Sequence, residues 1–279
     1  MKKIFLTLLL IPIFSFAQVL SPQPSPSASI NQTVGLTDIK IEYSRPSMRG
    51  RVIFGNLVPF GELWRTGANA NTKISFSDSV TISGETISSG TYAIYTRPGK
   101  EIWEVFFYKK SDNWSLPEVW DPKQIAVVSE SNSSIINGAP IESFTIQLET
   151  LTNNNLELTF SWEKTKVTTL IEVPTHQKTM ASIDKTLSKN PSGSDYYKSA
   201  VYYLNSDLDL KQAKEWIEIA IEKGADKYWH LRQYSLILAA LNENEAAIEI
   251  AKKSYELAEI AGNKDYLKMN KDSIEEWSK

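Results

Sequence analysis

The chain of 279 residues contains no cysteine and only two histidines, His176 and His230. The absence of thiols excludes disulfides, thiolate metal sites, cysteine nucleophiles and lipid attachment through an N-terminal cysteine. Two histidines that lack the spacing of a metal motif do not make a zinc site. We therefore expect no metal, and we expect stability to come from the hydrophobic core alone.

The chain also lacks an excess of basic residues, because 30 Lys and Arg stand against 33 Asp and Glu, for a net charge of -3. Without a basic excess to neutralise phosphates, nucleic acid is not an expected partner. No P-loop, G-x-G-x-x-G turn or H-E-x-x-H motif occurs, which argues against nucleotide, dinucleotide and zinc-protease functions. A Ser-His-Asp triad through His176 has no G-x-S-x-G elbow to support it. We expect no cofactor.

One long apolar run is present, from Ile4 to Phe16, after Lys2 and Lys3 and ending in Ser15-Phe16-Ala17. This three-part arrangement predicts a secretory signal over residues 1–17, cleavage after Ala17, and a periplasmic or secreted protein. The run is shorter than the roughly 20 residues of a membrane helix, so an uncleaved anchor is the weaker interpretation. No second such run follows, and we expect no transmembrane segment after cleavage.

Residues 18–29 are rich in proline and serine and predict an extended linker. Over residues 30–173, short alternating segments are separated by Gly, Pro and Asn turns, as in the strand of Leu156, Leu158, Phe160 and Trp162. This pattern predicts an antiparallel β-sandwich or flattened barrel. Five aromatic residues are expected in its core: Trp103, Phe106, Phe107, Phe144 and Trp162.

Residues 174–194 are predicted to link this domain to an all-α domain over 195–279, which gives an α+β chain. Within this linker, residues 183–187 are a candidate helix start, and Asn190-Pro191-Ser192-Gly193 is expected to break that helix. Ala213, Ile217, Ala220 and Ile221 share a helical face, and Ala247, Ala251, Ser254 and Tyr255 repeat that face 34 residues later. The offset is the tetratricopeptide period, so the domain is expected to resemble tetratricopeptide repeats and to dock a protein partner or the first domain. The predicted helices are 196–204, 210–223, 228–241, 245–261 and 265–277.

The stretch from Tyr43 to Thr72 holds the densest set of chemically distinctive residues. Arg45, Arg49, Arg51 and Arg65 are candidates to bind a small anion, because guanidinium groups recognise carboxylate or phosphate with two parallel hydrogen bonds. The competing interpretation is that single arginines bridge carbonyls of a long loop.

Two further residues of this stretch have alternative roles. Trp64 can be a stacking platform for a sugar or an aromatic ligand, or a core residue beside an outward Arg65. Asn69 can orient a ligand, or it can cap its own loop.

The segments SRPSMRGRVIFGNLVPFGELWRTGANANTKISFS (Ser44 to Ser77) and ISSGTYAIYTRPGKEIWEVFF (Ile87 to Phe107) resemble the DUF2911 family, a bacterial group without an assigned activity. The resemblance covers about Ser25 to Val173. Ser47-Met48 stands where similar sequences are expected to carry a glycine. The resemblance implies no mechanism.

Three functional hypotheses follow. The preferred one is a non-catalytic binding or interaction protein with a loop-built cleft and a partner-docking helical tail. The second is an envelope hydrolase acting on a sugar or ester, with Glu62 or Asp121 as acid or base and with Arg65 and Asn69 stabilising charge. The third is that the motif only staples the fold.

Overall fold

The computed structural model describes residues 21–279, which divide into two compact units, one ending at Thr175 and one running from His176 to Lys279. The predicted signal peptide and the first part of the predicted linker lie outside the described residues. The first unit is an antiparallel β-sheet domain and the second is helical, which confirms the α+β class. No helix within 21–279 is both long and apolar enough to cross a membrane.

The described part of the first unit contains eleven strands, all paired antiparallel. The strands are β1 (Ser27–Val34), β2 (Thr37–Ser44), β3 (Thr72–Phe76), β4 (Val80–Ile82), β5 (Glu85–Ile87), β6 (Gly90–Arg97), β7 (Ile102–Tyr108), β8 (Ile125–Ile135), β9 (Ile141–Glu149), β10 (Asn155–Glu163) and β11 (Thr165–Glu172). Their order is β1-β2-β3-β6-β7-β8-β11-β10-β9, with the β4–β5 hairpin attached to β11.

The two ends of this sheet meet through the chain that follows β2. The backbone N–H of Met48 donates to the carbonyl of Glu142 at 2.7 Å, and the N–H of Phe144 donates to the carbonyl of Pro46 at 2.9 Å. On β2 itself, the Tyr43 hydroxyl accepts a hydrogen bond from the Ile146 N–H at 3.1 Å. β9 thereby pairs with the extension of β2, and the sheet is a nearly closed barrel.

Period-two alternation places apolar residues inside this barrel. In β2, Ile39, Ile41 and Tyr43 are buried, whereas Lys40 and Glu42 are exposed. The five aromatic residues predicted as core are all buried, which confirms that prediction. Phe106 belongs to a second, separate cluster on the other face of β6 and β7.

The second unit contains α1 (Thr175–Leu187), α2 (Gly193–Asn205), α3 (Leu210–Glu222), α4 (Tyr228–Ala240), α5 (Asn244–Ile260) and α6 (Lys264–Trp277). Ser192 begins α2 with a capping box, in which its hydroxyl accepts from the Asp195 N–H and the Asp195 carboxylate accepts from the Ser192 N–H. The repeated face is buried in both copies: Ala213, Ile217 and Ala220 in α3, and Ala247, Ala251 and Ser254 in α5.

Two segment boundaries differ from those expected from sequence. The segment 174–194, expected as a linker, contains α1, which begins directly after Pro174. α1 has few apolar residues, so its periodicity is weak in the sequence. β1 begins at Ser27, within the segment expected as linker, because Ala28 and Ile30 pack against the core while alternate residues are polar.

Gly35, in the turn from β1 to β2, has a backbone φ of +55° and leaves no room for a side chain. A Cβ at this position would lie 1.8 Å from Thr175 Oγ1 and 2.2 Å from the Asn153 carbonyl oxygen. We predict that Gly35→Ala lowers the free energy of unfolding by at least about 2 kcal/mol, because backbone strain and a clash add. Urea denaturation measures this loss.

Gly84→Ala is the matched control, because Gly84 also has a positive φ, +82°, but nothing lies within 4 Å of the place that a Cβ would occupy. In this variant only backbone strain should lower the free energy of unfolding, by about 1 kcal/mol. Equal losses in the two variants would contradict the close approach at Gly35.

Candidate functional site

A surface cavity of about 530 Å³ opens beside the place where the barrel closes. Its walls come from the segment before β1 (Pro24 and Ser25), from the loop between β2 and β3, from Ser115 and Leu116 in the loop between β7 and β8, and from Trp162 of β10. Arg49, Arg51 and Arg65 line it, whereas no Asp or Glu belongs to its lining.

Arg45 contacts the closing strand and does not line the cavity. Its Nε donates to the carbonyl of Phe144 at 3.1 Å and its Nη2 donates to the Thr145 hydroxyl at 2.7 Å. The side edge of the guanidinium, where the Nε–H and one Nη2–H run parallel, is thus occupied by β9. Arg45 ties β9 to the chain that leaves β2.

Arg51 uses the same edge on its own loop. Its Nε donates to the carbonyl of Met48 at 2.9 Å and its Nη2 donates to the carbonyl of Ser47 at 2.7 Å. These bonds satisfy backbone carbonyls in a segment without regular partners. The Nη1 end of Arg51 has no hydrogen-bond acceptor within the described part of the chain.

Arg49 and Asn69 hold the segment that precedes β1. Arg49 Nη2 donates to the carbonyl of Pro24 at 3.0 Å, and Asn69 Nδ2 donates to the carbonyl of Ser25 at 3.1 Å. Both residues have a positive backbone φ, 50° for Arg49 and 58° for Asn69, a conformation that asparagine tolerates and arginine rarely adopts. The two side chains fix one wall of the cavity.

Arg65 differs from the other three arginines. Its Nη1 donates to the Ser115 hydroxyl at 2.6 Å, and no other hydrogen bond of its side chain occurs within residues 21–279. The Nε and Nη2 edge is therefore without an acceptor among these residues. Ser115 itself has a φ of +79°, a strained backbone conformation at the point of contact.

Trp64 forms part of an aromatic cluster behind this wall. Its ring stacks on Trp162 with centroids 5.8 Å apart and meets Phe144 edge to face at 5.1 Å. Its backbone pairs with Thr96, and its ring packs against the main core cluster of the barrel. Trp64 is partly buried and still contributes to the cavity wall.

The loop between β7 and β8, residues 109–124, is anchored by Trp120. The Trp120 ring stacks on Tyr108 at 4.7 Å and contacts Phe106 at 5.4 Å. Asn113 Nδ2 donates to the Tyr95 hydroxyl at 3.1 Å, and burial raises the pKa of Tyr95, which keeps it neutral. These contacts hold Ser115 and Leu116 against the cavity.

The carboxylates considered for catalysis do not enter the cavity. Glu62 is exposed, and Asp121 caps the short 3-10 helix at Pro122–Gln124 by accepting from the Lys123 N–H at 2.9 Å. Asp121 lines a different depression, formed by the loop between β7 and β8. The convergence of an acid with Arg65 and Asn69 that a hydrolase requires is not observed among the described residues.

The histidines take part in aromatic packing in the helical unit. His176 stacks near Tyr202, with its Nδ1 3.0 Å from the Tyr202 hydroxyl, and His230 packs against Tyr197. Burial lowers the pKa of His230, which favours a neutral ring. Within residues 21–279, no group of three or more metal-ligating side chains is positioned to hold an ion.

Comparison with protein families gives one match. A family model described as "Protein of unknown function (DUF2911)" matches residues 25–171, more than half of the chain. The chain belongs to the DUF2911 family. No curated protein and no solved structure matches the chain.

The sequence of the DUF2911 domain indicates the loop from Tyr43 to Thr72 as a candidate site, but not the other segments that line the cavity. Pro24, Ser25, Ser115 and Leu116 complete the cavity from segments far away in sequence. Pro24 and Ser25 lay in the predicted linker, and Ser115 belongs to no motif. The tryptophan beside Ser115, Trp114, was the one local signal that this loop differs from an ordinary turn.

In the DUF2911 domain, Arg45 and Arg51 both use their Nε and Nη2 groups in hydrogen bonds, but we expect them to contribute differently to the free energy of unfolding. Arg45→Ala removes two charged hydrogen bonds to β9, so we expect it to lower the free energy of unfolding by about 2–3 kcal/mol. Arg51→Ala removes bonds between an exposed side chain and its own loop, and we expect less than about 1 kcal/mol. Urea denaturation of both variants measures the difference. Similar losses would contradict the closing role of Arg45.

Trp120 is expected to hold the loop 109–124 in place. Trp120→Ala removes its stacking on Tyr108, and we expect faster tryptic cleavage at Lys109, Lys110 or Lys123. Trp114→Ala serves as the control, since the Trp114 side chain is 74% exposed and its removal should not release the loop. Limited proteolysis followed by mass spectrometry measures the rates. Equal rates in the two variants would rule out anchoring by Trp120.

Proposed function

We propose that this DUF2911 protein is a periplasmic or secreted, non-catalytic binding protein, and that its cavity takes a small anionic ligand. Arg65 is the principal contact. The observation that carries the proposal is the Nε and Nη2 edge of Arg65, which faces no protein acceptor among the described residues although Ser115 fixes the other side of the same guanidinium. A guanidinium held in this way is prepared for a carboxylate or phosphate with two parallel hydrogen bonds.

The charge around the cavity supports the same conclusion. Arg49, Arg51 and Arg65 contribute three positive charges to the lining, which has no acid to balance them. None of these arginines belongs to an ion pair within the described part of the chain. An anion in the cavity would therefore interact with guanidinium groups that form no ion pair among the described residues, although the Glu142 carboxylate lies close by and accepts from the Arg49 backbone N–H at 2.9 Å.

The arginines divide into structural and ligand-binding groups. Arg45 and the side edge of Arg51 are occupied by carbonyls and a hydroxyl, as the structural interpretation of the motif requires. Arg65, the free end of Arg51 and the remaining donors of Arg49 are available to a ligand. The staple hypothesis and the binding hypothesis thus apply to different residues of one loop.

The observed geometry gives the hydrolase alternative little support, because Glu62 and Asp121 lie outside the cavity. The helical unit remains a proposed partner-docking element of tetratricopeptide type. Its support is the burial of the same face at positions 34 residues apart, for example Ala213 and Ala247.

The test is a ligand screen on the chain from Gln18 to Lys279 with phosphate, succinate and citrate, and with glucose as the neutral comparison. Calorimetry and thermal melting are the measurements. We expect at least one anion to bind and to raise the melting temperature. Arg65→Gln should weaken that binding by about 10- to 100-fold, the loss of a charged hydrogen-bonded contact. It should lower the melting temperature of the free protein by no more than the loss of one hydrogen bond to Ser115 accounts for.

Arg97→Gln is the control for net charge, because Arg97 pairs with Glu104 at 2.6 Å and does not line the cavity. It should leave ligand affinity unchanged. If no anion binds, or if the two variants lose affinity equally, the proposal is wrong and the loop is a structural staple.

A further inference from the structure

We infer that the ligand of this cavity is amphipathic: an organic carboxylate or phosphate whose apolar part lies beside its charged group. This inference rests on the proposed anion site and specifies what that site takes. The charged group would contact Arg65, and the apolar part would cover an apolar wall formed by Leu57, Val58, Leu63, Trp64 and Leu116.

The apolar wall is unusual because part of it is open to solvent. Leu57 is 43% exposed and Leu116 is 39% exposed, although both line a concave surface. Leucine side chains in a concavity lose contact with water when a ligand covers them, which favours a ligand with apolar surface.

The wall and the anion contact are joined through consecutive residues. Ser115 accepts the hydrogen bond from Arg65 Nη1 at 2.6 Å, and Leu116 directly follows it in the cavity lining. On the other side, Trp64 precedes Arg65. Charge recognition and apolar contact therefore lie within one residue of each other on both segments, as a short amphipathic molecule requires.

The size of the cavity points to more than an inorganic ion. Its volume is about 530 Å³, whereas a water molecule takes up about 30 Å³ in the liquid. Sites for organic ligands commonly span roughly 300–1,000 Å³. A bare phosphate at Arg65 would leave most of the apolar wall in water.

Exposed apolar side chains are also concentrated in the two loops that contribute to this cavity. Eleven large apolar residues are exposed in the described part of the first unit, and six of them belong to the two loops that line the cavity. The six are Val52, Leu57, Phe60, Trp114, Leu116 and Val119. Leu57 and Leu116 line the cavity, whereas Trp114 and Val119 line the separate depression formed by the loop between β7 and β8.

The test compares three probes by calorimetry on the chain from Gln18 to Lys279: hexyl phosphate, inorganic phosphate and hexyl glucoside. Each methylene that becomes buried should raise affinity about fourfold. With about two methylenes buried, we expect hexyl phosphate to bind at least about tenfold more tightly than inorganic phosphate. Hexyl glucoside, which has the chain without the charge, should bind more weakly than hexyl phosphate.

Two variants separate the charged and apolar contributions. The double variant Leu57→Asn/Leu116→Asn should lose the advantage of hexyl phosphate over inorganic phosphate. Because both leucines are partly exposed, the fold should tolerate this change, and unchanged binding of inorganic phosphate checks that the site is intact. Arg65→Gln should instead weaken the binding of both phosphates.

The outcomes distinguish the two proposals. If neither the phosphate probes nor succinate and citrate bind, the anion site itself is wrong. If succinate or citrate binds but hexyl phosphate does not, the anion site stands and the amphipathic inference is overturned. If inorganic and hexyl phosphate bind equally, the anion site stands and the amphipathic inference is overturned. A further outcome is that the protein binds phosphatidylglycerol vesicles and that excess hexyl phosphate does not displace it. This result would place the apolar loops on a membrane surface. It would also overturn the inference that the cavity takes one whole molecule.

Discussion

The closure of the barrel by the chain that follows β2 is the constraint on which the rest of the first unit depends. Pro46 and Met48 pair with Phe144 and Glu142 of β9, and Arg45 adds two charged hydrogen bonds to the same strand. β9 is the edge strand at the far end of the sheet order, so these bonds replace an open edge that would otherwise expose unpaired backbone groups. The loop that carries the candidate site begins at this junction.

A guanidinium has five donors in a fixed plane, so one side-chain type suits both the observed backbone contacts of this loop and the proposed ligand contact. Where carbonyls occupy its side edge, as at Arg51, the residue satisfies a backbone that has no regular partners. Where a hydroxyl takes only Nη1, as at Arg65, the side edge stays available. The proposed ligand binding and the observed backbone contacts therefore fall on different arginines, and charge alone does not distinguish the two roles.

The helical unit is held together by the close packing of small buried residues and by a buried chain of hydrogen bonds. Small buried residues such as Ala213 and Ala247 allow the helices to pack closely, and Asn270, which is fully buried, donates from Nδ2 to the Ser254 hydroxyl at 2.8 Å. Ser254 in turn donates to the carbonyl of Tyr228 at 2.7 Å. This buried polar chain links α4, α5 and α6, and its partners are fixed by helix register.

The sequence by itself determined the fold class, the core aromatics, the family and most helix bounds, because alternation and helical periodicity are local patterns that burial imposes directly. It also located the loop from Tyr43 to Thr72, but it left every arginine there with two possible roles. Only the tertiary structure decided which guanidinium edges are occupied, brought Ser115 and Pro24 to the cavity, and separated Asp121 from it. Those outcomes depend on contacts between residues far apart in sequence, such as Arg45 with Thr145, and on left-handed backbone conformations at Arg49 and Ser115 that no local pattern encodes.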